Sequence, residues 1–282
     1  MRSYVLITGA TGGLGKAFAA ACAARGWDLF LTDLSDRRLD ALATGLARLY
    51  GVEVVTHSCD LTEAAARDGL WGTIDRLGAR FHMLINVAGL DYEGPFDERR
   101  PSELQTIVRL NVESTLDTTR RSLVYRDVHR TFRIITVSSL AAFYPMPVKA
   151  VYAASKRFLL DWSRALGEEL RDRDVTVTAL CPAGMPTTPA CVRSIEAQGL
   201  MGRWTTKGAD DVAALTLRRA MAGRRVVVPG FLNQVMRVFG AMVPRAVLTA
   251  MLKRRWLASH RVSHGQVPVA MTPVVVNQEA AQ

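Results

Sequence analysis

The sequence predicts a doubly wound α/β fold, in which a mostly parallel seven-stranded sheet carries helices on both of its faces. Seven short runs rich in aliphatic and β-branched residues alternate with longer amphipathic stretches. Most of the short runs are apolar throughout, as expected for parallel strands that are covered on both sides. Strict alternation of strands and helices favours a parallel sheet with right-handed crossovers.

The elements follow one another along the whole of the first 230 residues. Glycines stand directly after the first three helical stretches, where a left-handed residue commonly ends a helix. A proline opens the fourth stretch, the position in a helix that best tolerates it. The predicted strands are Tyr4–Thr8, Leu29–Asp33, Val52–His57, Met83–Asn86, Arg133–Ser138, Val175–Leu180 and Val226–Val228. The predicted helices are Leu14–Arg25, Ser35–Tyr50, Glu63–Leu77, Pro101–Arg126, Ala150–Arg171 and Asp210–Met221.

Length and composition favour an ordinary globular chain. The 282 residues are 22% charged and 49% hydrophobic, and a chain of this length buries a full core without disulfides or a structural metal. We expect a domain over residues 1–230 and an extension over 231–282 that ends in a mobile tail from Pro268. The four cysteines form no C-x-x-C pair, and no signal peptide fits before the first strand, so we expect reduced thiols and a cytoplasmic protein. The five histidines form no ligand set, so no metal is expected.

The net charge of +10 belongs to the C-terminal quarter. Residues 1–211 carry 26 basic and 25 acidic side chains, whereas residues 212–278 carry ten basic ones and no acidic one. No recognition module accompanies this charge, so we do not expect nucleic-acid binding. Val226–Met236, an uncharged stretch of eleven residues there, is too short to cross a bilayer.

The extension contains two apolar stripes at helical spacing, and three roles for it stay open. A basic amphipathic helix pair can cap the substrate pocket, pack across a dimer, or lie on an anionic membrane surface. The stripes are Leu232, Val235, Phe239 and Met242 in the first helix, and Leu248, Met251, Leu252 and Trp256 in the second.

A glycine-rich turn between the first strand and the first helix predicts a dinucleotide site. Glycines let the backbone approach a pyrophosphate, whose charge the helix N-terminus favours. Asp33 ends the second strand, where a carboxylate accepts hydrogen bonds from the adenosine ribose and repels a 2′-phosphate, so NAD(H) is favoured. Arg37 and Arg38 follow, most simply as a solvated helix face, and they leave NADP(H) open. The turn comprises Gly9, Thr11, Gly12, Gly13, Leu14 and Gly15 after Thr8.

Further motifs follow this loop in a fixed order. They are Asp60-Leu61 after the third strand, Asn86-Val87-Ala88-Gly89 after the fourth, Asn111 in the next helix, Ser138-Ser139 ending the fifth strand, Tyr152-Ala153-Ala154-Ser155-Lys156, and Pro182-Ala183-Gly184-Met185-Pro186-Thr187 after the sixth strand. With Thr8–Gly15, the ordered set resembles the short-chain dehydrogenase/reductase family of classical type over residues 3–230. Ser139 stands thirteen residues before Tyr152, as is usual in that family. Val87 and Ala183 depart from its pattern, and Thr188 is an alternative to Thr187.

The resemblance implies a Rossmann sheet, an NAD(P)-dependent oxidoreductase and a homodimer or homotetramer. By resemblance Asn111 holds a water in a proton relay, and the expected catalytic residues are Asn111, Ser139, Tyr152 and Lys156. Besides the glycine loop and Asp33, the expected cofactor-binding residues are Asp60, Leu61, Asn86, Ala88, Gly89, Tyr152, Lys156, Pro182 and Thr187.

Tyr152 and Lys156 are four residues apart in a predicted helix, so they project from one face. A free phenol has a pKa of about 10, and a nearby ammonium lowers that value. Tyr152 is then a general acid/base for a substrate oxygen, which Ser139 also hydrogen-bonds. This chemistry interconverts a secondary alcohol and a ketone by hydride transfer.

Apolar segments on either side of this centre predict a hydrophobic substrate. Leu140–Lys149 precedes the catalytic helix, and Ala183–Trp204 is long enough to form a lid. A hydroxysteroid is the favoured substrate, a 3-oxoacyl group is the alternative, and a non-catalytic dinucleotide sensor or membrane-surface binding protein is the alternative function. The predicted substrate-contacting residues are Ser139, Ala141, Phe143, Tyr144, Tyr152, Met185, Met201 and Trp204.

Overall fold

A seven-stranded parallel sheet forms the centre of the molecule. The computed structural model describes residues 2–186, 205–243 and 248–253. The strands lie in the order β3-β2-β1-β4-β5-β6-β7, and every neighbouring pair is parallel. The fold class predicted from the sequence is confirmed. The strands are β1 (Ser3–Thr8), β2 (Asp28–Asp33), β3 (Val54–Ser58), β4 (Arg80–Asn86), β5 (Phe132–Val137), β6 (Val175–Leu180) and β7 (Val226–Val227).

Eight α-helices within the described residues connect or flank the strands. They are α1 (Gly13–Ala23), α2 (Asp36–Tyr50), α3 (Ala64–Arg76), α4 (Pro101–Val108), α5 (Ser114–Ser122), α6 (Ala150–Glu169), α7 (Ala209–Met221) and α8 (Phe231–Met242). Short 3-10 turns occupy Phe96–Glu98, Leu140–Phe143 and Arg171–Arg173. Residues 248–253 are also helical.

The central strands contribute to two large apolar cores, one on either face of the sheet, and a smaller cluster lies beside β6 and β7. On one face Val5 and Ile7 of β1 pack with α1, α2 and α7. On the other face Tyr4 and Leu6 of the same strand pack with α3 and the end of α6. Burial on both faces explains why the strands read as continuous apolar runs.

The direction in which strands are added to the sheet reverses between β1 and β4, and the candidate site lies at this boundary. The chain leaves β1 toward β2 on one side, and β4 lies on the other side. The loops after the two strands separate there and leave a crevice at the carboxyl edge of the sheet, the usual ligand site of open α/β folds. Thr8–Gly15 follows β1 and Asn86–Gly89 follows β4, so the two turns flank this crevice.

The predicted helix from Pro101 to Arg126 is interrupted. A π-helical turn, Arg109–Glu113, separates α4 from α5, and α5 ends at Ser122. Hydroxyl groups of the next turn donate to backbone carbonyls here: Ser114 Oγ to Leu110 O at 2.6 Å and Thr115 Oγ1 to Asn111 O at 2.9 Å. Such local bonds compete with the regular ladder and accompany bends.

The first helix of the extension is present, and it packs on the 3-10 turn Leu140–Phe143. Its predicted apolar stripe is divided, because Leu232 is half-buried whereas Val235 and Met242 are exposed. The side chain of Phe239, Trp256 of the second stripe and the tail from Pro268 lie outside the described residues. Among those that are described, no helix is both long and apolar enough to span a membrane.

Gly9 should be intolerant of any side chain. Its φ is +66°, and a Cβ atom there would lie 2.7 Å from the backbone N of Ala88 and 2.8 Å from its Cα. Gly26 has nearly the same φ, +72°, but a Cβ atom would meet nothing within 4 Å. Gly9→Ala and Gly26→Ala both place alanine in the left-handed region, so the difference between their free energies of unfolding measures the clash alone. We expect Gly9→Ala to lose about 1–3 kcal/mol more stability than Gly26→Ala. Urea denaturation measures both free energies of unfolding. Equal losses of stability would contradict the prediction, because they would show that the backbone at Ala88 moves away without cost.

Candidate active site

The turn after β1 has the shape of a phosphate cradle. Gly12 caps α1 without any side-chain hydrogen bond, so the first N–H groups of the helix are available to an anion. A Cβ atom at Gly15 would lie 2.1 Å from Gly9 O, and the helix start therefore presses directly on the turn. This backbone approach fits a dinucleotide pyrophosphate.

Asp33 is tied to the same turn. Its Oδ2 accepts hydrogen bonds from the backbone N and from Oγ1 of Thr11, both at 2.8 Å, and its Oδ1 accepts one from Leu34 N at 2.8 Å. Arg38 reaches back from α2 and donates to Thr11 O at 3.1 Å. Arg38 is exposed, as the sequence predicted, and this hydrogen bond additionally places its guanidinium beside the turn that holds Asp33. Arg37 is exposed.

Thr8 holds the turn after β4. Its Oγ1 accepts the backbone N–H groups of Val87 at 3.2 Å and Ala88 at 3.3 Å. Asn86 is buried and donates from Nδ2 to Thr119 Oγ1 at 3.0 Å. The geometry of this turn therefore rests on Thr8 and on the backbone, and the side chain at position 87 takes no part in these bonds.

Two other predicted cofactor positions lie at carboxyl ends of strands. Asp60 follows β3 and turns its Oδ1 toward Thr62, accepting from N at 2.9 Å and from Oγ1 at 2.7 Å, while Leu61 is buried. Pro182 follows β6 and accepts from Leu140 N at 2.8 Å. Both positions are on the cofactor side of the sheet.

Lys156 is buried at the centre of the site, with 4% of its surface exposed. Its Nζ donates to Val137 O, the last residue of β5, at 2.9 Å. Burial lowers the pKa of Lys156 to about 8, and the negative charge of Asp91 opposes this shift. A Cβ atom at Gly89 would lie 3.0 Å from both Lys156 Nζ and Asn111 Oδ1, so both groups face the turn after β4.

Tyr152 lies between two ammonium groups. The Nζ atoms of Lys156 and Lys149 lie 5.8 and 5.9 Å from the centre of its half-buried ring. Lys149 pairs with Asp91 at 2.7 Å and Glu93 at 2.8 Å. Burial acts to lower the pKa of Lys149, but the two carboxylates outweigh it and raise that pKa above its usual value. This cluster carried no signal in the sequence, because its members lie far apart along the chain.

Ser139 begins the turn that joins β5 to the catalytic helix. Its Oγ accepts from Ala141 N at 3.1 Å, which caps the 3-10 turn and leaves the hydroxyl proton to donate elsewhere. Ser138 donates from Oγ to Lys156 O at 2.7 Å. The end of β5 is thus bonded to α6 through both the backbone and the side chain of Lys156.

Asn111 lies in the π-helical turn and is fully buried. Its Oδ1 accepts from Leu90 N at 2.9 Å, and its Nδ2 donates to Leu90 O at 3.0 Å and Ser155 Oγ at 3.1 Å. Ser155 Oγ in turn donates to Tyr152 O at 2.7 Å. The side chain of Asn111 therefore joins the turn after β4 to the catalytic helix, a link through Ser155 that the sequence did not indicate.

An apolar wall lies on the other side of the 3-10 turn. Ala141, Phe143 and Tyr144 are half-buried, and the Tyr144 hydroxyl is buried without a hydrogen-bond partner among the described residues. Burial raises the pKa of Tyr144. Arg237 of α8 stacks on Phe143, with its guanidinium carbon 5.5 Å from the ring centre. The extension thus covers part of this wall.

Some predicted positions are not tested by the structure. Thr187, Thr188, Met201 and Trp204, with most of the predicted lid, lie outside the described residues. Met185 is described and packs against the core on the α1 side of the sheet. Within the described residues no group of His, Cys, Asp and Glu is arranged to hold a metal ion.

Known proteins are similar to this chain in sequence and in fold. Residues 3–197 match the short chain dehydrogenase family. Over 179 residues the chain is 35% identical to the very-long-chain 3-oxoacyl-CoA reductase of Phaeosphaeria nodorum, covering 62% of this chain and 52% of that protein. Over 269 residues it is 26% identical to 17-beta-hydroxysteroid dehydrogenase type 3 of Homo sapiens, covering 94% and 83%. The chain spans about half the length of the 3-oxoacyl-CoA reductases that it matches.

Solved structures confirm the architecture. A 7beta-hydroxysteroid dehydrogenase aligns with a TM-score of 0.81 at 21% identity, covering 89% of this chain and 96% of that one. At this identity the likeness concerns the fold alone. Because the family match extends over more than half of the sequence and the topology agrees with it, the chain belongs to the short-chain dehydrogenase/reductase family.

Proposed function

We propose that the protein interconverts a lipophilic secondary alcohol and its ketone, with Tyr152 as the general acid/base. The observation that carries this proposal is the placement of the Tyr152 ring beside the buried Lys156 ammonium, on a helix bonded to the end of β5. A sensor that only binds a dinucleotide has no need of a buried amine beside a phenol. A desolvated amine of this kind is typical of a functional site.

The crevice between β1 and β4 supplies the residues that would hold the dinucleotide. The uncapped start of α1 would bind the pyrophosphate, Asp33 the adenosine ribose and Lys156 the nicotinamide ribose. The bound dinucleotide supplies or accepts the hydride. The remaining residues named by resemblance, Asp60, Asn86 and Pro182 among them, shape the strand ends around it.

In the reducing direction the protein's own groups handle the substrate oxygen. The Tyr152 hydroxyl donates its proton to that oxygen as the carbonyl carbon becomes tetrahedral, and the Ser139 hydroxyl hydrogen-bonds the same atom. The Lys156 ammonium stabilises the resulting phenolate electrostatically. Asn111 keeps the helix that carries Tyr152 in register with the turn after β4, and a water at its carbonyl would return the proton.

The wall formed by Ala141, Phe143 and Tyr144 favours a lipophilic substrate such as a hydroxysteroid. Apolar lining with few polar groups suits a rigid hydrophobic ligand. The buried Tyr144 hydroxyl, without a partner among the described residues, offers one donor for a polar atom of that ligand. The similarity to a hydroxysteroid dehydrogenase over 94% of the chain supports the same substrate class.

A 3-oxoacyl thioester is the second candidate substrate. The 35% identity to a very-long-chain 3-oxoacyl-CoA reductase favours it. That match covers 62% of this chain and 52% of the relative, so it supports this candidate over a smaller part of the chain than the hydroxysteroid dehydrogenase match does. A panel of ketosteroids and 3-oxoacyl thioesters, followed by the absorbance of the reduced nicotinamide, distinguishes the two.

We also propose that the protein is a homo-oligomer that associates through α6. Phe158 on α6 and Val108 on α4 expose much of their apolar surface, and the two helices pack together. Burying such side chains against a second copy removes apolar area from water.

Tyr152→Phe should abolish turnover while leaving dinucleotide binding nearly intact. The variant removes the proton donor but keeps the ring, and we expect kcat to fall about a thousandfold on whichever ketone the wild type reduces. Stopped-flow absorbance measures turnover and fluorescence titration measures binding. Tyr125→Phe is the matched control, because Tyr125 stacks on Trp71 away from the crevice. Turnover that survives in Tyr152→Phe would contradict the mechanism; NADH binding without any turnover in the wild type would favour the sensor.

Lys156→Met should be inactive but relatively more stable at neutral pH than at alkaline pH. The folded protein has a pKa of about 8 for Lys156, below the ordinary 10.5, so between these values the unfolded chain binds more protons. The stability of the wild type therefore rises with pH through this window. Methionine has no such dependence, so the free energy of unfolding of the variant, minus that of the wild type, should fall between pH 8 and 10. Urea denaturation at several pH values measures it; a constant difference would show that burial does not perturb Lys156.

Asp33→Asn should increase the use of NADP(H). Asparagine keeps an acceptor for Thr11 but removes the negative charge that repels a 2′-phosphate. The positive charge of Arg38, which also bonds to Thr11, would then attract that phosphate. We expect kcat/KM for NADPH to rise at least about tenfold. The gain should be lost in Asp33→Asn/Arg38→Met and kept in Asp33→Asn/Arg37→Met. No gain in the single variant would mean that Asp33 does not select the cofactor.

A further inference from the structure

Helix α8 exposes large apolar side chains on its outer side. The exposed fractions are 82% for Phe231, 45% for Val235, 59% for Val238 and 78% for Met242. These four positions are spaced i, i+4, i+7 and i+11. At 100° per residue they fall within an arc of about 60°, so they form a continuous stripe along the helix. We call this set the outer stripe.

The inner side of α8 is fixed to the rest of the protein, which determines where the outer stripe faces. Asn233 is buried, and its Nδ2 donates to Pro229 O at 2.7 Å and Thr205 O at 3.0 Å. Met236 and Arg237 are half-buried on the same side. A surface helix normally places its polar side outward; here the anchored side holds the polar contacts and the outward side is apolar.

The stretch of sequence that contains the outer stripe carries charge of one sign, although Arg225 at its start pairs with Glu168 of α6. Residues 212–278 carry ten basic side chains and no acidic one. Lys253 is exposed in the helical segment that follows α8, and Met251 beside it is 62% exposed. An exposed apolar stripe within a cationic segment is the pattern of a helix that lies in the interface of an anionic membrane.

We propose that α8 docks the protein on an anionic lipid surface, with the outer stripe inserted at the level of the acyl chains. Charge complementarity favours lipid over a second copy of the chain, because the second copy would bring the same cations and no acidic group from this segment. Residues 254–282 are a poor cover for the same reason, since Glu279 is their single acidic residue.

Docking would place the wall of the candidate site close to the bilayer. Helix α8 packs on the 3-10 turn that carries Phe143, and Arg237 stacks on that ring. If the lipophilic substrate proposed above is correct, it would reach the site from the membrane. Lipid binding itself does not depend on that proposal, and a binding measurement tests it separately from turnover.

The test is co-sedimentation of the full chain with vesicles of phosphatidylcholine alone or mixed with phosphatidylglycerol. We expect binding to the mixed vesicles, little to phosphatidylcholine, and weaker binding at about 1 M salt, where the Debye length falls to about 3 Å. Val235→Glu/Val238→Glu and the single variant Phe231→Ser should each reduce the partition coefficient, the double variant at least about tenfold.

Val124→Glu/Val128→Glu is the matched control. These valines are 67% and 72% exposed, and they flank Arg126, which bridges to Phe81 at the opposite, amino end of β4. Its binding should equal that of the wild type. The proposal would be overturned if the wild-type protein did not co-sediment with anionic vesicles. Equal loss in both double variants would also overturn it, as would a halved mass by light scattering in Val235→Glu/Val238→Glu, which would assign the stripe to a second copy.

Discussion

The buried ammonium of Lys156 is the constraint on which the rest of the site depends. An amine with so little exposed surface must find hydrogen-bond partners inside the protein, and the carbonyl that ends β5 provides one. This bond fixes α6 against the sheet at the residue where the strand ends. Tyr152, one turn earlier, is thereby set above the carboxyl edge. The cost of burying the charge is visible in its lowered pKa, and the same desolvation strengthens its effect on the phenol.

The second constraint is the contact between the turns after β1 and β4. Thr8 accepts two N–H groups of the β4 turn, and Gly9 lies so close to Ala88 that no side chain fits. These contacts join the proposed cofactor half of the crevice to the proposed catalytic half. Asn111 extends the connection, since it holds Leu90 at the end of the same turn and Ser155 in α6. In the proposed mechanism, hydride and proton transfer would therefore share one rigid support.

The sequence predicted the strands well, but not the contacts that hold the candidate site residues. Continuous apolar runs identify strands covered on both faces, and each motif marks a strand end. The π-helical turn at Asn111 was not predicted: the hydroxyl groups of Ser114 and Thr115 bond to the preceding turn there, but such bonds also occur in the regular helices α3, α4 and α7. The Lys149, Asp91 and Glu93 cluster could not be found, since 56 to 58 positions separate the lysine from its partners. The helical stripe of the extension was visible, but which of its sides faces the protein depends on where Asn233 finds acceptors.

The charge of the chain acquires a physical meaning once the fold is known. Residues 1–211, which are nearly neutral, contain most of the candidate site. Its electrostatics depend on one buried lysine and a few carboxylates, which interact over short distances at low dielectric. The cationic segment begins in α7 and continues past α8, outside the crevice. In the proposed docking, the exposed cations of this segment would attract an anionic surface at short range, since salt screens exposed charges beyond about 10 Å. Arg237 on Phe143 is the described contact between this cationic segment and the candidate site.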